Sequence, residues 1–378
     1  MSEHRLITSL MRPFFRKGKA ASFTLPGVLK ANSKILCIDS GELSELVFHI
    51  PLIKAIRKNF PAAQIDFLLP EKHQALMVPS GLVKQCIVYK DSQLNPWMPA
   101  FSSLLRQLGK GQYDMSIVMS QKPAPRLELA ALASGAQLRL GPSHAESWPA
   151  INFEIRPPDL ETQYYGDRIL AAGPFLGLPE RDMNTRWPLP MELVRQMAQQ
   201  VHFHKPNPDQ MLIGVEPGES KSGHRMKLED IHFLVRQLST QFVCRVVPLG
   251  QPSEAELLHK FETKLADVPL GLPRETLLDS ILLLSQCDLF VGGNTDFFHF
   301  SVALGLPTVG LFSAGDNNSW VPQNRKRVRV LRLDKAGRID LESLMEAVET
   351  VTEGRTTKVA RVISASDKTP DQPSLPND

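Results

Sequence analysis

A chain of 378 residues is too long for one compact core of ordinary size, so two domains of roughly 150 to 200 residues each are expected. Its 42% hydrophobic and 22% charged content is that of a water-soluble globular protein, and no apolar run approaches the ~20 residues that a membrane-spanning helix needs. A net charge of +3 is too small to argue for nucleic acid, and no aromatic-rich RNA motif or zinc-finger spacing replaces it.

At the N-terminus Arg5, Arg12, Arg16, Lys17 and Lys19 alternate with Leu6, Ile7, Leu10, Met11, Phe14 and Phe15. Charge and Pro13 interrupt the apolar run, which argues against a cleavable signal peptide. Leu6, Leu10 and Phe14 share a helical face with Ile7 and Met11. This basic amphipathic extension, residues 1–30, either rests peripherally on an anionic membrane surface or packs on the first domain. From Lys34 strands and helices alternate: SKILCID, a helix over 43–59, QIDFLLP, a strand over 83–89, a helix over 99–108, MSIVMS, a helix over 125–134 and the short strand LRLG. Such alternation implies a parallel sheet with helices on both faces. The segment GLPERDMNTRWPLP, rich in proline and charge, marks a boundary between a domain over 31–185 and one over 186–355. The second series runs from a helix near Met191 through MLIGVEPG, a helix over 228–240, FVCRVVPLG and helices over 254–265 and 275–285. The last residues, 356–378, are polar and proline-bearing and read as a disordered tail. Cys37, Cys86, Cys244 and Cys287 are scattered, with no CxxC, and read as buried free thiols of a reducing compartment, the cytoplasm.

The most informative stretch is CDLFVGGNTDFFHFSVALGLPTVGLFSAGD, Cys287 to Asp316. Asp288 to Val291 is an apolar strand, Gly292 and Gly293 break it, Asn294 or Thr295 caps a helix that ends at Gly305, and Thr308 to Phe312 is the next strand. The unit leaves free backbone N–H groups and the positive end of a helix at the carboxyl edge of the sheet, which suits an anion; the alternative is a purely structural αβ unit with a surface His. Thr295 and His299 lie four apart, on one helical face.

Three other loops fall at carboxyl ends of strands. Asp39-Ser-Gly-Glu-Leu-Ser-Glu45 carries the carboxylates Asp39, Glu42 and Glu45, one of which suits a general base; acidic residues also favour first turns of helices. Glu216-Pro-Gly-Glu-Ser-Lys-Ser-Gly-His-Arg225 offers Gly218, Ser220 and Gly223 for backbone N–H groups and Lys221, His224 and Arg225 as cationic donors, a set that suits a diphosphate or a plain solvated loop. In Leu249-Gly-Gln-Pro-Ser-Glu254, Glu254 either accepts hydrogen bonds from ribose hydroxyls or simply starts a helix. The ten histidines show no HExxH spacing, so no metal site is expected, and no GxSxG or GxGxxG marks a strand–helix junction.

Taken together, SKILCIDSGELSELVFHIPLIKAIRKNFPAAQIDFLL, YDMSIVMSQKPAPRLELAALASGAQLRLG, IGVEPGESKSGHRMKLEDIHFLVRQL and CDLFVGGNTDFFHFSVALGLPTVGLF resemble glycosyltransferase family 9, the heptosyltransferases of lipopolysaccharide core synthesis. The resemblance spans about Ser33 to Arg355 and implies a GT-B fold, two Rossmann-like α/β domains facing each other across a cleft. It further implies inverting transfer of a sugar from a nucleotide diphosphate donor of the ADP-heptose type to a lipid-linked saccharide acceptor, with no cofactor and no nucleic acid. The family's Gly-Asp falls on Ser44-Glu45, which makes Glu45 the implied catalytic base. Its Asp-Thr-Gly-Pro-x-His falls on Asn294-Thr295-Asp296-Phe297-Phe298-His299, and its Lys-x-Trp on His224-Arg225-Met226. The implied donor site is Gly218, Ser220, Lys221, His224, Arg225, Glu254, Asn294, Thr295, Asp296 and His299. Asp296 puts a carboxylate where the family has a glycine next to the phosphates. Those departures leave a second reading, a GT-B protein without catalysis that binds or assembles, and a third, an epimerase of nucleotide sugars.

Overall fold

The computed structural model describes residues 24–353 apart from 143, 145–146, 155–162, 180–185, 206, 208–209, 222, 224–227, 265–271, 273 and 336. The N-terminal amphipathic stretch over residues 1–23, the C-terminal tail, His224 and Arg225 therefore lie outside the described residues.

The first sheet contains β1 (Lys34–Asp39), β2 (Gln64–Pro70), β3 (Gln85–Tyr89), β4 (Met115–Met119), β5 (Leu138–Gly141) and β6 (Phe153–Glu154), in the order β3-β2-β1-β4-β5-β6. Every pair is parallel. β1 and β4 are central, and their apolar runs ILCI and MSIVM are covered on both faces, as parallel strands require. The crossovers carry α1 (Leu43–Asn59), α2 (Glu71–Met77), α3 (Pro99–Gly109) and α4 (Pro125–Ala133). The connection to the second half holds the one-turn α5 (Tyr165–Arg168) and then α6 (Met191–His204).

The second sheet contains β7 (Met211–Glu216), β8 (Cys244–Pro248), β9 (Leu289–Gly292), β10 (Thr308–Phe312) and β11 (Val328–Arg332), all parallel in the order β11-β10-β9-β7-β8. Its helices are α7 (Leu228–Gln241), α8 (Ala255–Lys264), α9 (Leu277–Leu284), α10 (Asp296–Leu304) and α11 (Leu341–Val351). All four cysteines are free; Cys37 and Cys287 are buried as expected, whereas Cys86 and Cys244 are only half-buried because β3 and β8 are edge strands.

Besides the one-turn α5, four elements went unanticipated. α2 follows Pro70 directly with no side-chain cap, and β6 is two residues long. β11 lies among arginines and lysines and is an edge strand, buried fully only at Val328. α11 did carry a signal: Asp340 caps it, and Leu344, Ala347, Val348 and Val351 repeat at helical spacing and are buried.

The two halves share one core. A single cluster of buried apolar side chains includes Ile35, Ile117 and Phe48 from the first half and Leu212, Phe290 and Phe312 from the second. α1 explains how: Leu43 to Ile53 is buried without interruption, as in a helix covered on all sides. One side lies on the first sheet and the other meets α10. The ring of Phe48 stands edge-on to His299 of α10 at 5.0 Å, and to Tyr164 at 5.6 Å. Tyr165 and Trp320 close the same aromatic cluster.

Candidate active site

Because α1 and α10 pack together with Phe48 against His299, three residues on from Glu45 and Asp296 respectively, the helices' N-terminal turns come together at the carboxyl edges of both sheets. The Ser44 N–H donates to Asp296 Oδ1 at 3.2 Å, a bond between residues 252 positions apart. The positive ends of two helices thus converge on one carboxylate.

On the first half, Glu45 is 6% exposed. Its Oε1 accepts from the Gln121 backbone N–H at 3.0 Å, while its buried Oε2 has no hydrogen-bond partner among the described residues. Burial pushes its carboxyl up to about 8; the Gln121 N–H, Lys221 and Lys122 oppose the shift, and Glu42 adds to it. Gln121 follows β4, at a fifth carboxyl-end loop that the sequence reading did not single out. Asp39, at the end of β1, turns away from this role: fully buried, it accepts from the Gly41 N–H at 2.9 Å and meets His73 Nδ1 at 2.6 Å. Its backbone carbonyl accepts from the Tyr89 hydroxyl. The loop that delivers Glu45 is therefore pinned to α2 through His73 and to β3 through Tyr89. Glu42 is exposed and pairs with Lys221 Nζ at 3.3 Å.

On the second half, Thr295 caps α10: its Oγ1 accepts from the Phe298 N–H at 3.2 Å and donates to Glu216 Oε2. Burial holds the Glu216 carboxyl well above the usual range; the Thr295 hydrogen bond lowers it, and Glu254 and Asp296 raise it further. Lys221 Nζ reaches Asp296 Oδ1 at 2.6 Å, and the Lys221 N–H donates to the Asn294 carbonyl at 2.7 Å, tying the loop after β7 to the loop after β9. Burial works against the Lys221 ammonium, but Asp296 and Glu42 outweigh it and its pKa is raised. Asp296 Oδ2 also accepts from Gln251 Nε2 at 3.2 Å.

Glu254 has its helix-start role: Oε2 accepts from the Gln251 N–H at 2.9 Å in a capping box. A Cβ on Gly218 would come within 3.1 Å of Glu254 Oε1, and one on Gly250 within 2.9 Å of Oε2, so both glycines are needed for this close approach. Ser220 is half-buried, its Cβ 3.8 Å from where a Cβ on Gly293 would sit.

His299 sits deeper than its helical spacing to Thr295 implied. It is fully buried; Nε2 faces Asn294 Oδ1 at 3.2 Å, and Nδ1 faces the Tyr164 hydroxyl at 3.0 Å. An amide oxygen only accepts, so Nε2 carries the proton and Nδ1 accepts from Tyr164. Asn294 Nδ2 then donates to Asp316 Oδ1 at 2.8 Å. Burial, with Lys221 nearby, drives the imidazole well below its ordinary pKa, so it is neutral. Through Asn294, His299 orients the loop before α10. Tyr164 precedes α5 in a stretch without a recognisable pattern, and only the fold reveals it.

Two Rossmann-like sheets sharing a cleft, with a buried carboxylate on one side and a capped helix plus lysine on the other, define a glycosyltransferase of the GT-B type. The family model described as glycosyltransferase family 9 (heptosyltransferase) matches residues 101–347, and the chain belongs to that family. It is 20% identical over 299 residues, 77% of this chain and 82% of the other, to the lipopolysaccharide core heptosyltransferase OpsX of Haemophilus influenzae. Its fold matches a crystal structure of a family 9 glycosyl transferase from Veillonella parvula with a TM-score of 0.69 at 18% identity, covering 86% of this chain and 99% of that one. It matches the E. coli ADP-heptose lps heptosyltransferase II with a TM-score of 0.64 at 18% identity, covering 85% and 98%. No helix among the described residues is long and apolar enough to cross a membrane.

Proposed function

We propose that this glycosyltransferase inverts the anomeric centre as it moves a sugar, of the ADP-heptose type, from a nucleotide diphosphate to a lipid-linked saccharide of the lipopolysaccharide core or a related cell-envelope glycan. The observation that carries the reading is the juxtaposition of Glu45 with the N-terminus of α10, one residue from a direct hydrogen bond across the cleft. Glu45 takes the proton of the acceptor hydroxyl; that oxygen bonds to the anomeric carbon as the bond to the diphosphate breaks, and the nucleoside diphosphate leaves with the electron pair. Lys221 and the N–H groups of the Thr295 turn meet the charge that develops on it. Gly218, Ser220 and Glu254 belong to the loops after β7 and β8, Asn294 lies buried beside Thr295, and His224 and Arg225 follow Lys221 in sequence; we assign them to the donor. The donor and acceptor named for the heptosyltransferase II relative support this choice of substrate class. The basic N-terminal extension would hold the protein at the inner face of the cytoplasmic membrane, where such acceptors are built.

A base with a pKa near the working pH suits this step, because it is a strong acceptor when ionised and still abundant in that form. Glu45→Gln should lower turnover by roughly 10²- to 10⁴-fold, the usual worth of a general base, while leaving donor affinity within a factor of about 2. Transfer from a panel of nucleotide sugars to lipopolysaccharide-core acceptors, followed by product mass, measures it. Unchanged turnover in Glu45→Gln would remove Glu45 from the chemistry. Donor binding by the wild type with no transfer from any donor would return the non-catalytic reading, and donor isomerisation without acceptor the epimerase.

A further inference from the structure

We propose that Asp296 is a built-in competitor for the donor's phosphates: a tethered carboxylate that occupies the anion cradle, bolts the two halves together, and must be displaced for the donor to enter. Lys221, the cation assigned to the incoming diphosphate, is already engaged by it, together with two donors from neighbouring loops. Lys221 Nζ lies 2.6 Å from Oδ1, the Ser44 N–H at the start of α1 donates to the same oxygen at 3.2 Å, and Gln251 Nε2 donates to Oδ2 at 3.2 Å. Lys221 continues the bridge to Glu42 of the first half. Three different loops and both sheets therefore converge on one side chain that is 13% exposed.

Two consequences follow from the charges. A diphosphate beside the Asp296 side chain would meet like charge, so binding requires the carboxylate to swing out and surrender Lys221. Swinging out also frees the Ser44 N–H and breaks the Glu42–Asp296 bridge through Lys221, so donor entry loosens the cleft next to Glu45. Asp296 thus sets how much negative charge a donor must bring in order to win.

The proposal rests on the donor reading above, and two measurements separate them. The first needs no ligand: amide hydrogen exchange in the peptide around Ser44 should quicken in both Asp296→Asn and Asp296→Gly relative to wild type. The second is calorimetric titration with inorganic pyrophosphate and with ADP at low salt. Both variants should bind about tenfold tighter, as expected for removing one like charge a few ångströms from the phosphates in a half-buried site. Asp296→Gly guards against an Asn that refolds into the same contacts. Equal or weaker binding in the variants overturns the proposal and leaves the donor reading standing. If no form binds either probe, both fall, and faster exchange at Ser44 would then mark the Asp296 contact as purely structural.

Discussion

Glu45 is an acid kept where water cannot solvate its anion, and the consequence can be read in opposite directions for activity and for stability. Its carboxyl titrates near 8 in the folded protein against an ordinary 4.5, so the folded state holds its proton more tightly than the unfolded chain does. The stability this confers is complete below the ordinary carboxylate range and is lost as pH rises through about 8. Turnover runs the other way, because only the ionised form accepts a proton. The pH profile of kcat/KM should therefore climb between pH 6 and 8, following an apparent pKa near 8 and not 4.5. Thermal unfolding at pH 5 and pH 8.5 supplies the partner test. Wild type should lose more stability over that interval than Glu45→Gln, and equal losses in the two proteins would mean that the carboxylate is solvated. Residue type and strand-end location brought out Lys221, Thr295 and the set Asp39, Glu42 and Glu45, and within that set only the family resemblance singled out Glu45. The partners that give Glu45 its character were not legible. Gln121 contributes a backbone N–H, which any residue but proline would supply; likewise hidden was the partner of His299, Tyr164, which approaches from 135 positions away.

α10 shows what local signals do and do not specify. The turn, cap and stop of this helix were readable: the strand runs one residue further than expected, through Gly292, and ends before Gly293, Thr295 caps, and Gly305 ends the helix at φ 74°. Most strands and helices were legible for the same reason, since buried parallel strands are uninterrupted apolar runs punctuated by glycine and proline. The depth of α10 was less so. Phe297, Phe298, His299 and Phe300 are all buried, and nothing in a nine-residue helix says that one face will meet another domain. Thr295 is the point where element and site meet, for its hydroxyl both caps the helix and answers the buried Glu216. Thr295→Val keeps the shape and removes both contacts. It should cost about 1 kcal/mol for the cap and a further ~1–3 kcal/mol for the carboxyl left unpaired. Thr295→Ser should restore most of that. Chemical denaturation of the three proteins decides it; a loss below 0.5 kcal/mol, roughly the uncertainty of such a measurement, would show that Glu216 finds another partner.

Two sheets of six and five strands, each with its own helices, would be expected to melt independently if only a linker joined them. Here the apolar cluster runs through both, and α1 is its shared element, buried from Leu43 to Ile53 because each half covers one side of it. Phe48 stands at the crossing, with Tyr164, Tyr165, His299 and Trp320 around its ring. The molecule should accordingly unfold in one calorimetric transition, with van't Hoff and calorimetric enthalpies in agreement. Phe48→Ala removes the ring on which both halves close and should cost about 3–5 kcal/mol. If that ring couples the halves, its loss also splits the single transition into two, because each sheet keeps its own strands and helices while the contact between them is lost. Phe48→Leu, which retains most of the buried volume, should keep one transition at a smaller cost. Two transitions already present in the wild type would mean that the continuous core does not couple the halves energetically. The N-terminal turns of α1 and α10 would then be held together only by the polar contacts of Asp296 and Lys221 with Ser44 and Glu42.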